Sequence, residues 1–130
     1  MRKNIIVHDC VFPSPVFVVS TYNEDDSVNA MVAAWCMTLD HGYVALNLSD
    51  KRKTLKNMKD KGSFTISLAT SEYIKDIDFL GTVSGNIDAN KFDKTSFTTS
   101  KSTNVNAPII NELPVCIECE YVKYEDSEYG

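Results

Sequence analysis

Apolar positions along the chain follow two rhythms, and the rhythm changes near Asp50. Before it the period is that of strands. Val16-Phe17-Val18-Val19-Ser20-Thr21 is a β-branched run entered through Phe12-Pro13-Ser14-Pro15, and it predicts a strand buried on both faces. The polar, acidic stretch from Tyr22 to Ser27 predicts a turn. A second strand is expected from Val28 to about Thr38, long enough to bend or carry a bulge. Asp40-His41-Gly42 reads as the next turn, and Tyr43–Leu48 as a third strand. Short turns between these strands point to an antiparallel meander.

After Asp50 the spacing lengthens. Thr54 to Lys61 places Leu55 and Met58 on one face of a short helix, with Gly62 as its stop. Ser63-Phe64-Thr65-Ile66-Ser67-Leu68 alternates with period two, so Phe64, Ile66 and Leu68 are expected inward. Ser71 can cap a second helix striped by Ile74, Ile77 and Leu80 and ended by Gly81. Residues 82–106 are polar, with anchors at Ile87, Phe92 and Phe97, and so long a connection in a compact domain is usually functional or mobile. A last strand is expected from Val115 to Tyr124, followed by an acidic turn. The expected fold is mainly β with short helices, closed as a small antiparallel barrel, in a single domain over residues 1–130.

Composition narrows the function. A net charge of −5 opposes general nucleic-acid binding, although one local basic pocket remains compatible with it. No apolar run approaches the roughly 20 residues of a membrane span. His8 and Asp9 interrupt the short N-terminal apolar run, so no signal peptide is expected and the cytoplasm is the default. The cysteines are Cys10, Cys36, Cys116 and Cys119. Cys116 and Cys119 lie three apart in a strand pattern and so face opposite sides. They read as ordinary thiols, one in the core, and no metal site is expected.

Ser49-Asp50-Lys51-Arg52-Lys53-Thr54 sets three cations where a helix begins. The helix dipole disfavours positive charge there, so an anion would complete the site together with free N–H groups and the Thr54 hydroxyl. The alternative is a solvated turn in which Asp50 and water absorb the charge. Trp35, the only tryptophan, ends the apolar stretch that Asn29 opens. It could wall a flat ligand or simply fill the core, just as Asn29 could be a plain turn residue. Ser84-Gly85-Asn86 could bring bare backbone close to a ligand or form an ordinary turn. Lys91 reads either as a site residue or as a solvated loop lysine. Nucleotide-binding glycine fingerprints and hydrolase signatures are missing, which favours a cofactor that carries its own chemistry.

Taken in order, these elements resemble the flavin reductase-like, FMN-binding split-barrel family, most of all its flavoredoxin branch. The resemblance runs from about Phe12 to Tyr124. It rests on Pro-x-Pro-Val before the first strand and on Asn-x-Met-x-x-Ala-Trp at Asn29, Met31, Ala34 and Trp35. Next come the loop from Ser49 to Thr54 and Gly-x-x-Ser-Gly-x-x-x-x-x-Lys-Phe at Gly81 to Phe92. Ala-Pro-Ile-Ile-x-Glu-x-Pro-Val and a strand with Glu-Cys complete it, at Ala107 to Cys119.

The resemblance implies a split β-barrel that binds FMN, usually at a homodimer interface. By analogy the stretch opened by Asn29, with Met31, Val32, Ala33, Ala34 and Trp35, would line the flavin ring. Ser49, Arg52, Lys53 and Thr54 would hold the phosphate. Ser84 and Gly85 would approach the flavin, and Lys91 the phosphate or a partner chain. Ser67 stands where the family usually has asparagine, so a flavin contact there could be lost. The chain ends at Gly130, where relatives usually continue through further strands, so a barrel truncated at its C-terminus is expected, its open edge inviting association.

The implied function is an oxidoreductase: a flavin reductase drawing on NAD(P)H, or a flavoredoxin-like carrier drawing on a protein electron donor. No catalytic side chain is identifiable. The alternative is a non-catalytic flavin- or ligand-binding barrel module with impaired redox function. A third reading, single-stranded nucleic acid stacked on Trp35 and phenylalanines, is opposed by the acidic charge.

Overall fold

The computed structural model describes residues 14–126. His8, Asp9, Cys10, Phe12, Pro13 and the last four positions of the expected acidic turn lie outside them. The centre is a four-stranded antiparallel sheet. Its strands are β1 (Phe17–Tyr22), β2 (Val28–Ala33), β5 (Ser63–Leu68) and β8 (Cys116–Glu120), in the order β2-β1-β5-β8. Two antiparallel hairpins flank it: β3 (Cys36–Asp40) with β4 (Tyr43–Leu46), and β6 (Thr99–Lys101) with β7 (Pro108–Ile110). Two helices are inserted, α1 (Lys53–Lys61) and α2 (Ile74–Thr82). No helix among the described residues is long and apolar enough to cross a membrane.

Each face of the sheet has its own apolar core. On one face Val18 and Ala30 pack with Ile77 and Leu80 of α2, and with Phe92, Phe97, Ile110 and Leu113. On the other, Val19, Ala33, Phe64 and Ile66 pack with Leu55 and Met58 of α1. A strand covered on both sides needs apolar residues in succession, and adjacent Val18 and Val19 are both fully buried, as the β-branched run predicts. In β5, Phe64 and Ile66 point inward as expected, while Leu68, at the strand's end, is 40% exposed. The polar face of β5 is buried too, because the β6–β7 hairpin lies over it. Thr65 Oγ1 donates to the Pro108 carbonyl at 2.6 Å and Ser63 Oγ to that of Asn106 at 2.8 Å.

The helices follow the sequence closely. Gly62, in the left-handed region at φ 71°, ends α1 and donates its N–H to the Met58 carbonyl. A 3-10 turn over Ser71–Tyr73 precedes α2, so Tyr73 rather than Ser71 stands at the cap position, and it makes no side-chain cap. Gly81 does not stop α2, which continues to Thr82. A Cβ at Gly81 would meet Val32 Cβ at 3.2 Å, so this glycine lets α2 lie close against β2.

Three expectations change. The strand from Val28 breaks at Ala34-Trp35, because the β1 ladder ends at the Phe17↔Ala33 pair and offers no partner beyond it. The chain resumes as β3 in a separate hairpin, with a register irregularity between Thr38 and Asp40. Ile87 is 89% exposed and anchors nothing, whereas Phe92 and Phe97 are buried with ring centroids 6.4 Å apart. The last strand is short, Cys116–Glu120. Cys36, Cys116 and Cys119 are free, and burial pushes all three thiols up, Cys119 to about 11.

Candidate functional site

A cavity of about 330 Å³ opens at the free edge of β2, between the start of α1 and the end of α2. The helix start supplies its polar wall. Arg52 is the residue before α1, in extended conformation, with no side-chain cap and no acidic residue in the first turn. Leu55 N and Lys56 N donate to the Arg52 carbonyl, but the N–H groups of Lys53 and Thr54 have no acceptor among the described residues. Lys51, Arg52 and Lys53 all line the cavity, and none takes part in the ion pairs formed among those residues. Asp50 makes no ion pair with them, although Asp25 lies within electrostatic reach of Lys53, and the first turn of α1 concentrates positive charge.

The opposite wall is bare backbone. Residues 84–86 fold against the cation loop, with Asn86 Nδ2 donating to the Lys51 carbonyl at 2.8 Å. A Cβ on Gly85 would sit 2.5 Å from Asn29 Oδ1 and 3.3 Å from Lys53 Cδ, so only glycine lets this loop approach so closely. Asn29 is 3% exposed, and its amide donates to Thr54 Oγ1 at 2.8 Å. The Thr54 proton itself has no acceptor among the described residues and is available to a ligand.

Lys91 closes the floor. It is only 2% exposed, and Nζ donates to the Leu80 and Val83 carbonyls, each at 2.7 Å. The Leu80 carbonyl belongs to the last turn of α2 and Val83 is the residue just after it, where the helix dipole favours a cation. Burial, reinforced by the Arg52 and Lys53 charges and opposed by Asp88, pushes the Lys91 ammonium down to about 8. An anion in the cavity would relieve the repulsion among these cations. Met31 and Val32 of β2 supply the apolar part of the lining.

The structure thus brings together Asn29, Met31, Val32, Ser49, Arg52, Lys53, Thr54, Ser84, Gly85 and Lys91. Four expected residues stand apart. Ala33 is buried in the core beneath α1, and Ala34 is exposed at the break after β2. Trp35 is 63% exposed at the same break, neither in the core nor in the cavity lining. Ser67 is fully buried on β5, with β1 between it and the β2 edge. Conversely, Leu80, Gly81 and Val83 join the lining without having been expected. Gly81 was the available signal, since a glycine inside a helix marks a close approach as readily as a stop. No cluster of three or more His, Cys, Asp or Glu among the described residues could hold a metal ion.

Comparison with known proteins agrees with this architecture. The family model for the flavin reductase like domain matches residues 9–130. An uncharacterized protein of Archaeoglobus fulgidus is 33% identical over 126 residues, covering 95% of this chain and 70% of that protein. Flavoredoxin of Desulfovibrio vulgaris (Miyazaki F) superposes with a TM-score of 0.89 at 29% identity, over 97% of this chain and 69% of that one. An FMN-binding domain of a flavin reductases-like enzyme from Shewanella baltica OS155 shares the fold, with a TM-score of 0.77 at 23% identity over 85% and 59% of the two chains. The mainly β, antiparallel split-barrel architecture expected from the sequence is borne out, and the chain belongs to the flavin reductase-like domain family.

Proposed function

We propose that this protein binds FMN in the cavity at the β2 edge and passes electrons through it, as a flavin reductase or a flavoredoxin-like carrier. The observation that carries the reading is the start of α1, where unpaired cations, two free N–H groups and the Thr54 proton converge beside a 330 Å³ cavity. That donor set fits a phosphate monoester. Arg52, Lys53, Thr54 and Ser49 hold the phosphate in this reading. Met31 and Val32 take the ring, while Ala33, Ala34 and Trp35 lie outside the cavity lining. Ser84 and Gly85 cover the ring, and Lys91 adds charge from below. FMN, when bound, supplies the capacity to accept a hydride and release electrons singly.

The electron donor is a reduced nicotinamide, NADH or NADPH, or a protein. A homodimer is part of the same reading, and the exposed apolar face of Trp35, Met37 and Leu39 on the β3 side is its candidate contact. Titration of the purified protein with FMN, followed by fluorescence quenching, is the first test. Saturable quenching supports the site, and its absence in folded protein removes it. Bleaching of the bound flavin by NADH or NADPH then identifies a reductase. Binding without reduction by nicotinamide or protein donors supports the second reading, a non-catalytic flavin-binding module. That reading is favoured by Ser67, whose short side chain lies on β5 away from the cavity.

A further inference from the structure

Asn57 is a buried asparagine in the middle of α1, only 4% exposed and outside the cavity lining. Asparagine is a poor choice for a helix interior, and a buried amide is costly unless its groups are bonded. Both hydrogens of its amide leave the helix. One is donated to Thr21 Oγ1 on β1 at 3.0 Å, the other to Asn23 Oδ1 in the turn after β1 at 2.9 Å. Asn23 is held in turn, since its own amide donates to Ser27 Oγ at 2.9 Å and Ser27 Oγ donates to the Asp25 carboxylate at 2.5 Å. A carboxylate only accepts, so every bond of this chain donates outward, from Asn57 through Asn23 and Ser27 to Asp25 in the turn.

The same Thr21 oxygen receives a second amide. Asn29 Nδ2 reaches it at 3.4 Å and donates its shorter bond, 2.8 Å, to Thr54 Oγ1. Thr54 and Asn57 are three apart on α1 and so lie on one face of it. Two asparagines, one from the helix and one from β2, therefore meet across one threonine of β1. This brace fixes where the first turn of α1 stands against the β2 edge. It also makes Thr54 Oγ1 the acceptor of the Asn29 amide, so its own proton is not spent on that bond.

We propose that Asn57 is a positioning residue for anion recognition: through Thr21 and Asn29 it holds the first turn of α1 and the Thr54 hydroxyl as donors aimed into the cavity, and so makes the site select phosphorylated over unphosphorylated flavin. This rests on the FMN reading given above. Asn57 itself touches no ligand.

The test compares dissociation constants for FMN and riboflavin in the full chain, with thermal midpoints measured alongside. The wild type binds FMN more tightly than riboflavin. In Asn57→Leu, which keeps the bulk and removes both donors, FMN affinity falls about tenfold while riboflavin affinity stays within about twofold. Thr21→Val removes the shared acceptor and has the same effect, and the double variant loses no more than either single one. Asn57→Ser retains one donor and serves if the leucine variant does not fold; its preference for FMN is intermediate. A lowered midpoint with an unchanged FMN-to-riboflavin ratio assigns Asn57 to packing alone and overturns the proposal. Equal binding of the two flavins by the wild type overturns it as well, while leaving flavin binding intact. Failure of the folded wild type to bind either flavin overturns the FMN reading itself.

Discussion

On one side of Ala34 the chain buries its polar residues, and on the other it exposes its apolar ones. Along β2, Asn29 is 3% exposed and bonded through both amide hydrogens. Along β3, Met37 is 63% exposed and Leu39 65%. The two strands are consecutive and read as one in the sequence. What separates them is the neighbour. β2 has β1 on one side, α2 across it and the loop of Gly85 near its edge, so the buried amide of Asn29 finds its partners within the protein. β3 has only β4, and its inner residues, Cys36 with Val44 and Leu46, pack on the core beneath α1 while the outer face stays open. The β2 edge is therefore built for directional recognition, and the β3 face for area.

Substitutions should divide along the same line. Lys91→Met has the largest expected effect. It leaves the Leu80 and Val83 carbonyls without their donor, costing about 3 kcal/mol in urea unfolding, and removes the cation beneath the cavity. FMN affinity falls with it. In the wild type the same lysine makes binding depend on pH. Free Lys91 loses its proton near pH 8, and an anion favours the ammonium. Affinity is therefore full below about pH 8 and declines above it, by up to about tenfold per pH unit, until the bound form also deprotonates. Without ligand the sign reverses. The unfolded lysine keeps its proton to higher pH, so this group's contribution to folding stability rises from about pH 8 toward the ordinary lysine range near 10.5. Titrations at pH 7 and 9, on wild type and Lys91→Met, check both signs.

The double change Arg52→Ala with Lys53→Ala comes next. It weakens FMN binding about tenfold or more and flattens its dependence on salt, with little change in thermal midpoint because neither cation is ion-paired in the protein. An unchanged dissociation constant would take both residues out of the site. Gly85→Ala should cost less, about threefold to tenfold in affinity, because the loop can retreat from Asn29 Oδ1 to relieve a 2.5 Å approach. The smallest effect on binding belongs to the other region. Met37→Lys on the open face should leave FMN affinity and stability within about 0.5 kcal/mol, yet reduce self-association in sedimentation velocity. Equal loss of binding from Met37→Lys and Gly85→Ala would erase the distinction between the two regions.

Local features were legible in the sequence and long-range ones were not. The start of α1 could be read because its logic is local: three cations against a helix dipole, with a hydroxyl beside them. The period-two pattern of β5 placed Phe64 and Ile66 correctly. It could not reveal that Thr65 and Ser63 are buried, since their partners are carbonyls of a hairpin more than 40 residues later. Trp35 looked like core or ligand wall because tryptophan is costly to leave in water. Its exposure follows from where the β1 ladder stops, a property of the partner strand. Lys91 read equally as a site residue or a solvated loop lysine for the same kind of reason, as its two acceptors lie at the far end of a helix. Asn57 is an unfavourable residue for a helix interior, but the sequence could not show where its hydrogens go, since both acceptors lie more than 30 residues earlier in the chain.

The position of Trp35 has a practical corollary. The chain's single indole stands in water, outside both packed layers. In the unassociated chain, where no second copy covers Trp35, its emission should lie toward the wavelength of free tryptophan even in the native state, and melting of the central sheet should shift it little. An optical denaturation curve taken at that wavelength would thus be nearly silent about the cooperative transition. The far-ultraviolet dichroism of the same sample would follow it in full.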